Sequence, residues 1–481
     1  MEEKKYNIIR NLFYSSLSVM TTLFLFILMF MMGRHLGAEK YGVFMLGLHI
    51  ATIFEMFTDF GLRDISVRNV AQKKELTEKY IGNILVWKMI LSATVFVVMM
   101  GVVHILGYDF ETRLVVYVLA PSAFLKSMKY TMRIFFQVHD RFGWDTLLVF
   151  VERTCLLGVG LAVLFYWKAV LPIAICFTSV RLVDFLLTLA VLRWKIAPVK
   201  PRLDFQFMKK LQIEAFPLGL FFVILTIYSY IDTVMLSLMR TMEDVGLYNS
   251  AFKIYEGITI LPTVFWLVIL PRLSELFTTN QNHHQRLAVR SVKYMFVIGI
   301  PTMIFGVILS RFFIGFFYGT EYLPAVLALQ ILFVGIVFQY SNWMLNATLI
   351  SMSRQKVILA LGSIGLISKI ILNVILISMY GFNGSATATA LGEFLIFACA
   401  FGYLYRRFQG IPVFPVIIKP MIAGGCATLA FHLLQGYPWV FVLFVVGLVY
   451  VGGLFLLRTF DRHELQVFIE NTFSAKRRLG S

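Results

Sequence analysis

The chain has 481 residues, of which 59% are apolar, 14% are charged and four are cysteine, and its formal net charge is +17. Soluble proteins are about 45–50% apolar and about 25% charged, so this composition excludes a soluble globular protein and points to an integral membrane protein rich in Phe and Met. Cys155, Cys176, Cys399 and Cys426 all fall in apolar segments; they read as small buried hydrophobes, which excludes a disulfide framework and a cysteine metal site.

A membrane-spanning helix needs about 20 apolar residues. In chain order, segments 11–33, 43–62, 81–106, 114–137, 145–166, 171–192, 211–239, 247–270, 294–310, 324–350, 357–379, 385–404, 420–434 and 440–457 are predicted spans. Their length and period favour helices over barrel strands. The first has no small-x-small cleavage site and reads as a retained span, not a signal peptide. The thirteenth, in "KPMIAGGCATLAFHLL", is short and Gly-rich.

Charge orients this array. With the N-terminus in the cytoplasm, the cytoplasmic segments hold 29 Lys and Arg and the outer loops six. The positive-inside rule then supports an even count, with both termini cytoplasmic in a cell (cytoplasmic, or inner) membrane. The excess positive charge is therefore a membrane-surface signature and not a nucleic-acid one. The tail 459–481 places Leu465, Phe468, Ile469 and Phe473 on one helical face ahead of Lys476, Arg477 and Arg478, the pattern of an amphipathic helix on an anionic leaflet of membrane lipids.

Two faint echoes suggest duplication. At offset 204, Gly42 aligns with Gly246, Glu39 with Glu243 and His49 with Lys253; at offset 213, Lys126, Lys129 and Arg133 align with Gln339, Asn342 and Asn346. The expected fold is all-α: two parallel six-helix repeats, 1–192 and 211–404, joined by a cytoplasmic linker, 193–210, with two extra helices in 405–458. An even number of helices per repeat gives both the same orientation, related by an axis along the membrane normal.

The stretches "RHLGAEKYGVF" (34–44) and "TDFGLRDISVRNVA" (58–71), in this architecture, resemble the polysaccharide (O-antigen-type) flippases of the multidrug/oligosaccharidyl-lipid/polysaccharide exporter superfamily. The resemblance implies a transporter, not an enzyme, that carries a polyprenyl-pyrophosphate-linked oligosaccharide to the outer leaflet by alternating access between two lobes. It also implies partners: the lipid-linked substrate, Na+ or H+ as a coupling ion, and other polysaccharide-assembly membrane proteins. No cofactor or metal is called for. A cation-coupled multidrug exporter is the nearest alternative. A membrane-embedded polymerase, ligase or glycosyltransferase is disfavoured, because the longest outer loop is 13 residues and no phosphate-binding loop or metal-ligand cluster is present.

Ionisable groups inside a membrane are costly and mark function or pairing. Eight basic and nine acidic residues fall within the predicted spans. Lys126, Lys129 and Arg133 share one helical face and, with His49 and Lys253, are candidates for the pyrophosphate headgroup. Two other readings stand beside this one: Arg133 can snorkel to the interface, and the lysines can pair with Glu152, Asp184 or Asp59. Asn249, Glu256, Gln339, Asn342 and Asn346 are candidate polar cavity residues, although hydrogen bonds between helices explain such stripes nearly as well. Asp59 and Arg63, one turn apart, are candidate gating or helix-end residues. Asp232 has no basic neighbour at i±3 or i±4 and is the coupling-ion candidate, unless a cation on another helix pairs with it.

Overall fold

The computed structural model describes residues 20–408, 414–434 and 436–460. The start of the first predicted span and nearly all of the amphipathic tail lie outside these residues. Among the described residues all regular structure is helical: α1 (Thr22–Leu36), α2 (Ala38–Asp59), α3 (Leu62–Gln72), α4 (Thr77–Ile105), α5 (Phe110–Val138), α6 (Phe142–Trp167), α7 (Val170–Lys195), α8 (Phe205–Met239), α9 (Met242–Ile258), α10 (Leu261–Thr279), α11 (Gln281–Phe317), α12 (Val326–Ser351), α13 (Gln355–Tyr380), α14 (Phe382–Tyr405), α15 (Phe414–Leu433) and α16 (Trp439–Leu456). Among the described residues, eleven stretches are long and apolar enough to cross a membrane. The 29-residue α5, whose cations lower its apolarity, and the shorter apolar α1 and α15 complete the fourteen expected spans.

Several boundaries differ from the sequence reading. The second span breaks where Phe60 and Gly61 both take left-handed conformations, at φ 41° and 79°. The chain then turns into α3, so the expected inner loop starts as helix. A Cβ at Gly61 would lie 3.0 Å from the Gly219 nitrogen of α8, so glycine serves both the turn and the close approach. The expected loops 271–293 and 311–323 are also largely helical, through α10, α11 and a short 3-10 turn, Thr320–Ala325. Hydropathy marks only the part of a helix inside lipid, whereas the backbone ladder continues into water. Cys155 and Cys426 are exposed rather than buried, and all four cysteines are free.

The helices fall into two compact units. One comprises the described chain up to Gly257 together with Arg311–Ala328 and Gly362–Ala388; the other comprises Ile258–Ser310, Leu329–Leu361 and the described chain from Thr389. In the first unit Met128, Met132, Phe135 and Phe136 of α5 pack with Ile81 and Ile84 of α4 and Phe185 and Leu192 of α7. The linker is tied to the start of α4: the Asp204 N–H donates to Asn83 Oδ1 at 2.5 Å, and the Arg202 N–H to the Gly82 carbonyl at 3.4 Å. Asp204 caps α8 by accepting from the Phe207 N–H at 2.9 Å, and that bond holds its carboxyl below the usual carboxylate range.

The first unit also contains a reciprocal contact. A Cβ on Gly42 of α2 would collide with the Met242 carbonyl at the start of α9, and a Cβ on Gly246 would collide with the Ala38 carbonyl. Residues 38 and 242, and 42 and 246, are each separated by the 204-residue offset of the sequence echo. Exchanging partners in this way is the form of a twofold contact. In the second unit Gly335 of α12 lies against Ala390 of α14, and the Tyr450 hydroxyl of α16 donates to the Val297 carbonyl of α11 at 3.0 Å.

Candidate functional site

The cation stripe of α5 divides into two parts. Lys129 bonds Glu152 of α6 and lies 2.9 Å from Asp184 of α7, while Arg133 reaches Asp184 at 2.5 Å and Glu152 at 3.7 Å. Their side chains are 0% and 2% exposed. Arg133 therefore turns inward instead of snorkelling to an interface. Two cations and two carboxylates lock three helices together. Removing one member of such a buried set costs about 3–5 kcal/mol, because its partner keeps a desolvated charge.

Lys126 behaves differently. It pairs with none of the three acids expected for it but with Glu55 of α2, at 2.6 Å, and its side chain keeps 22% of its exposure. Asp59 is taken by Lys88 of α4, whose ammonium also donates to Ser127 Oγ at 2.9 Å and Thr131 Oγ1 at 2.6 Å. The expected Asp59–Arg63 brace is absent: the break at Phe60–Gly61 separates the two residues, and Arg63 is exposed.

A second ion pair lies nearby. Lys253 and Glu256 of α9 are 2.7 Å apart with side chains 16% and 35% exposed, and the Lys253 ammonium sits 5.1 Å from the Phe26 ring centroid of α1. His49 of α2 stacks on Tyr230 of α8 with centroids 4.4 Å apart. Its Nδ1 is 2.9 Å from Thr233 Oγ1, which in turn donates to Asn249 at 3.2 Å. The Tyr230 hydroxyl is within electrostatic reach of both Glu55 and Glu256, and His49 of Lys253. The positions aligned by the 204-residue echo, His49 and Lys253, are thus within electrostatic reach of each other. Two partly open ion pairs, Lys126–Glu55 and Lys253–Glu256, therefore lie within electrostatic reach of a histidine–tyrosine stack.

Asp232 is not solitary. Lys369 of α13 lies 2.6 Å from its Oδ2, with both side chains 1% exposed. Asn373 donates to Oδ1 at 2.7 Å and the Tyr248 hydroxyl to Oδ2 at 2.8 Å. In the second unit, Asn342 of α12 donates to the Glu393 carbonyl and carboxylate at 3.0 and 2.9 Å. Gln339 and Asn346 on the same helix are half-buried. Among the described residues no group of His, Cys, Asp and Glu could hold a metal ion.

Sequence spacing missed Glu55, Lys88, Tyr230 and Lys369 as partners in these clusters. All but Tyr230 were visible as charges within spans, but each contact bridges separate helices and lies beyond any local window.

The profile of a family described as "Polysaccharide biosynthesis protein" matches residues 8–277. The probable flippase AglR of Haloferax volcanii is 28% identical over 240 residues, 48% of this chain and 50% of that protein, so the chain spans about half of this relative's length. The probable low-salt glycan biosynthesis flippase Agl15 of the same organism is 24% identical over 369 residues, covering 74% of this chain and 75% of the relative. Among solved structures, the lipid II flippase MurJ in an inward closed conformation superposes with a TM-score of 0.74 at 14% identity, over 93% of this chain and 98% of that one. At that identity the likeness establishes a common fold.

Proposed function

The chain belongs to the polysaccharide biosynthesis protein family, and from that premise we propose that it is a flippase carrying a polyprenyl-pyrophosphate-linked oligosaccharide from the cytoplasmic to the outer leaflet by alternating access. AglR and Agl15 are named as probable flippases and not as enzymes. The observation that carries the proposal is the pair of partly open ion pairs. A headgroup phosphate can reach Lys126 and Lys253, at 22% and 16% exposure, but not Lys88, Lys129, Arg133 or Lys369, at 2% or less.

Glu55 and Glu256 neutralise these lysines. An arriving pyrophosphate joins the carboxylates as an acceptor, so each ammonium, with three N–H donors, bridges its glutamate and a phosphate oxygen, and neither Lys126 nor the buried Glu55 is left bare in low dielectric. The Lys129/Arg133/Glu152/Asp184 lock holds α5 so that Lys126 is presented from a fixed backbone. Asn249 is spent on Thr233 and the Val245 carbonyl, which removes it from the candidates for glycan hydroxyls. The 29-to-six charge split supports cytoplasmic termini in the cell membrane.

A second reading, a cation-coupled drug exporter, draws on Glu256, the most exposed member of the two pairs at 35%. The experiment is reconstitution into liposomes with a polyprenyl-pyrophosphate oligosaccharide in the inner leaflet and an impermeant lectin outside. Protein-dependent appearance of the glycan supports the flippase. Failure to expose it, together with efflux of a lipophilic organic cation, supports the exporter.

A further inference from the structure

We propose that the buried Asp232 carboxylate is the core of a monovalent-cation site in which the chain's own Lys369 ammonium takes the place of the ion. The surroundings of Lys369 Nζ are those of a small hard cation: the Asp232 Oδ2 oxygen at 2.6 Å, the backbone carbonyl of Tyr228 at 2.8 Å, and the Tyr228 ring face at 4.4 Å from its centroid. Carboxylate and carbonyl oxygens are the ligands hard cations take, and an aromatic face attracts a positive charge. The carboxylate is held by a second layer. Asn373 donates to Oδ1 at 2.7 Å, and Ser385 of α14 fixes that amide by donating to Asn373 Oδ1 at 3.1 Å. The Tyr248 hydroxyl of α9 donates to Oδ2 at 2.8 Å. The site therefore draws on α8, α9, α13 and α14, and its two charged members are each 1% exposed.

A free ion would have to enter with its charge against this ammonium, where both side chains are 1% exposed and the repulsion is weakly screened. The tethered cation cannot dissociate into bulk solvent. Sodium binding at Asp232 is thus excluded in the native chain, and a sodium gradient has no hold on α8 or α13 through this carboxylate. Shortening Lys369 to alanine removes the ammonium and leaves the Asp232 oxygens, the Tyr228 carbonyl and the Asn373 and Ser385 side chains around a vacated space. That arrangement would accept a small monovalent cation from solution. The inference concerns ion occupancy only and holds whichever lipid is carried.

The test is thermal unfolding and radioactive sodium binding of the purified full-length protein, in NaCl, LiCl or choline chloride at equal ionic strength. The native protein should show the same unfolding midpoint in all three salts and no saturable sodium binding. Lys369→Ala should unfold at a lower temperature in choline chloride, recover in NaCl or LiCl with saturable dependence, and lose that recovery when Asp232→Asn is added. Saturable sodium binding by the native protein that Asp232→Asn abolishes would overturn the proposal. So would a folded Lys369→Ala that sodium and lithium leave unchanged, since the pair would then be a bridge and not a cation site. If Lys369→Ala does not fold, Lys369→Ser is measured by the same criteria, and the native-protein arm still decides against the proposal if sodium binds.

Discussion

Replacing Lys129 with glutamine removes the ammonium shared by Glu152 and Asp184 and leaves both carboxylates 3% exposed. Loss of one member of a buried ion set costs about 3–5 kcal/mol. The lower end applies here, because Arg133 still holds Asp184 at 2.5 Å and lies 3.7 Å from Glu152. Adding Glu152→Gln should restore most of that stability, since the charge left behind is then gone. Lys126→Gln should behave in the opposite way. Its side chain is partly open, so the folding cost is smaller, whereas loss of one charge-assisted hydrogen bond to the headgroup costs about 1.5–3 kcal/mol, roughly a ten- to hundredfold loss of binding. Thermal unfolding in detergent and titration of a lipid-linked oligosaccharide separate the two. The reasoning is refuted if Lys129→Gln unfolds at the native temperature while losing substrate, or if Lys126→Gln binds as the native protein does.

Three further outcomes follow from the geometry. Gly246→Val should lower stability by about 1–3 kcal/mol, the range for overpacking, because its Cβ meets the Ala38 carbonyl; an unaltered unfolding midpoint would show that α2 and α9 are not in contact. Single cysteines at Asn383 and Gln281, in a background without the four native cysteines, should label from opposite sides with an impermeant reagent, and labelling from one side would contradict the charge-based topology. The Asp204 carboxyl, held below its usual range by the Phe207 N–H, contributes stability that is fully present above the unfolded-state value of about 3.9 and is lost as pH falls through its lowered folded value. The unfolding difference between native protein and Asp204→Ala should therefore be largest near neutrality and close in acid; a difference that grows in acid would contradict the cap.

The helical array was legible because it rests on local properties. Apolar runs of bilayer length and the asymmetry of Lys and Arg both survive in a linear reading. Helix ends were less legible where polar helix projects beyond the apolar run, as in α11, or where a break such as Phe60–Gly61 depends on the approach of Gly219. The site was legible as a set of residues and not as a set of pairs. Lys126, Lys129 and Arg133 are identical by spacing, and only the positions of Glu55, Glu152 and Asp184 on other helices separate an open cation from two locked ones. Asp232 looked isolated for the same reason, because its partner Lys369 stands on a helix distant in sequence. Cys155 and Cys426 were misjudged because an apolar neighbourhood in sequence is shared by core-facing and outward-facing positions of a membrane helix.

The most direct measurement of the central claim is the rate at which the reconstituted protein exposes a polyprenyl-pyrophosphate oligosaccharide to an external lectin, compared among the native chain, Lys126→Gln, Lys253→Gln and the double variant. The account, in which Lys126 and Lys253 add a phosphate to their glutamates, predicts protein-dependent flipping by the native chain and a loss of roughly ten- to hundredfold in apparent affinity for each single variant, with a further loss in the double variant and folding retained in all. Flipping by the folded double variant at the native rate and affinity would contradict it.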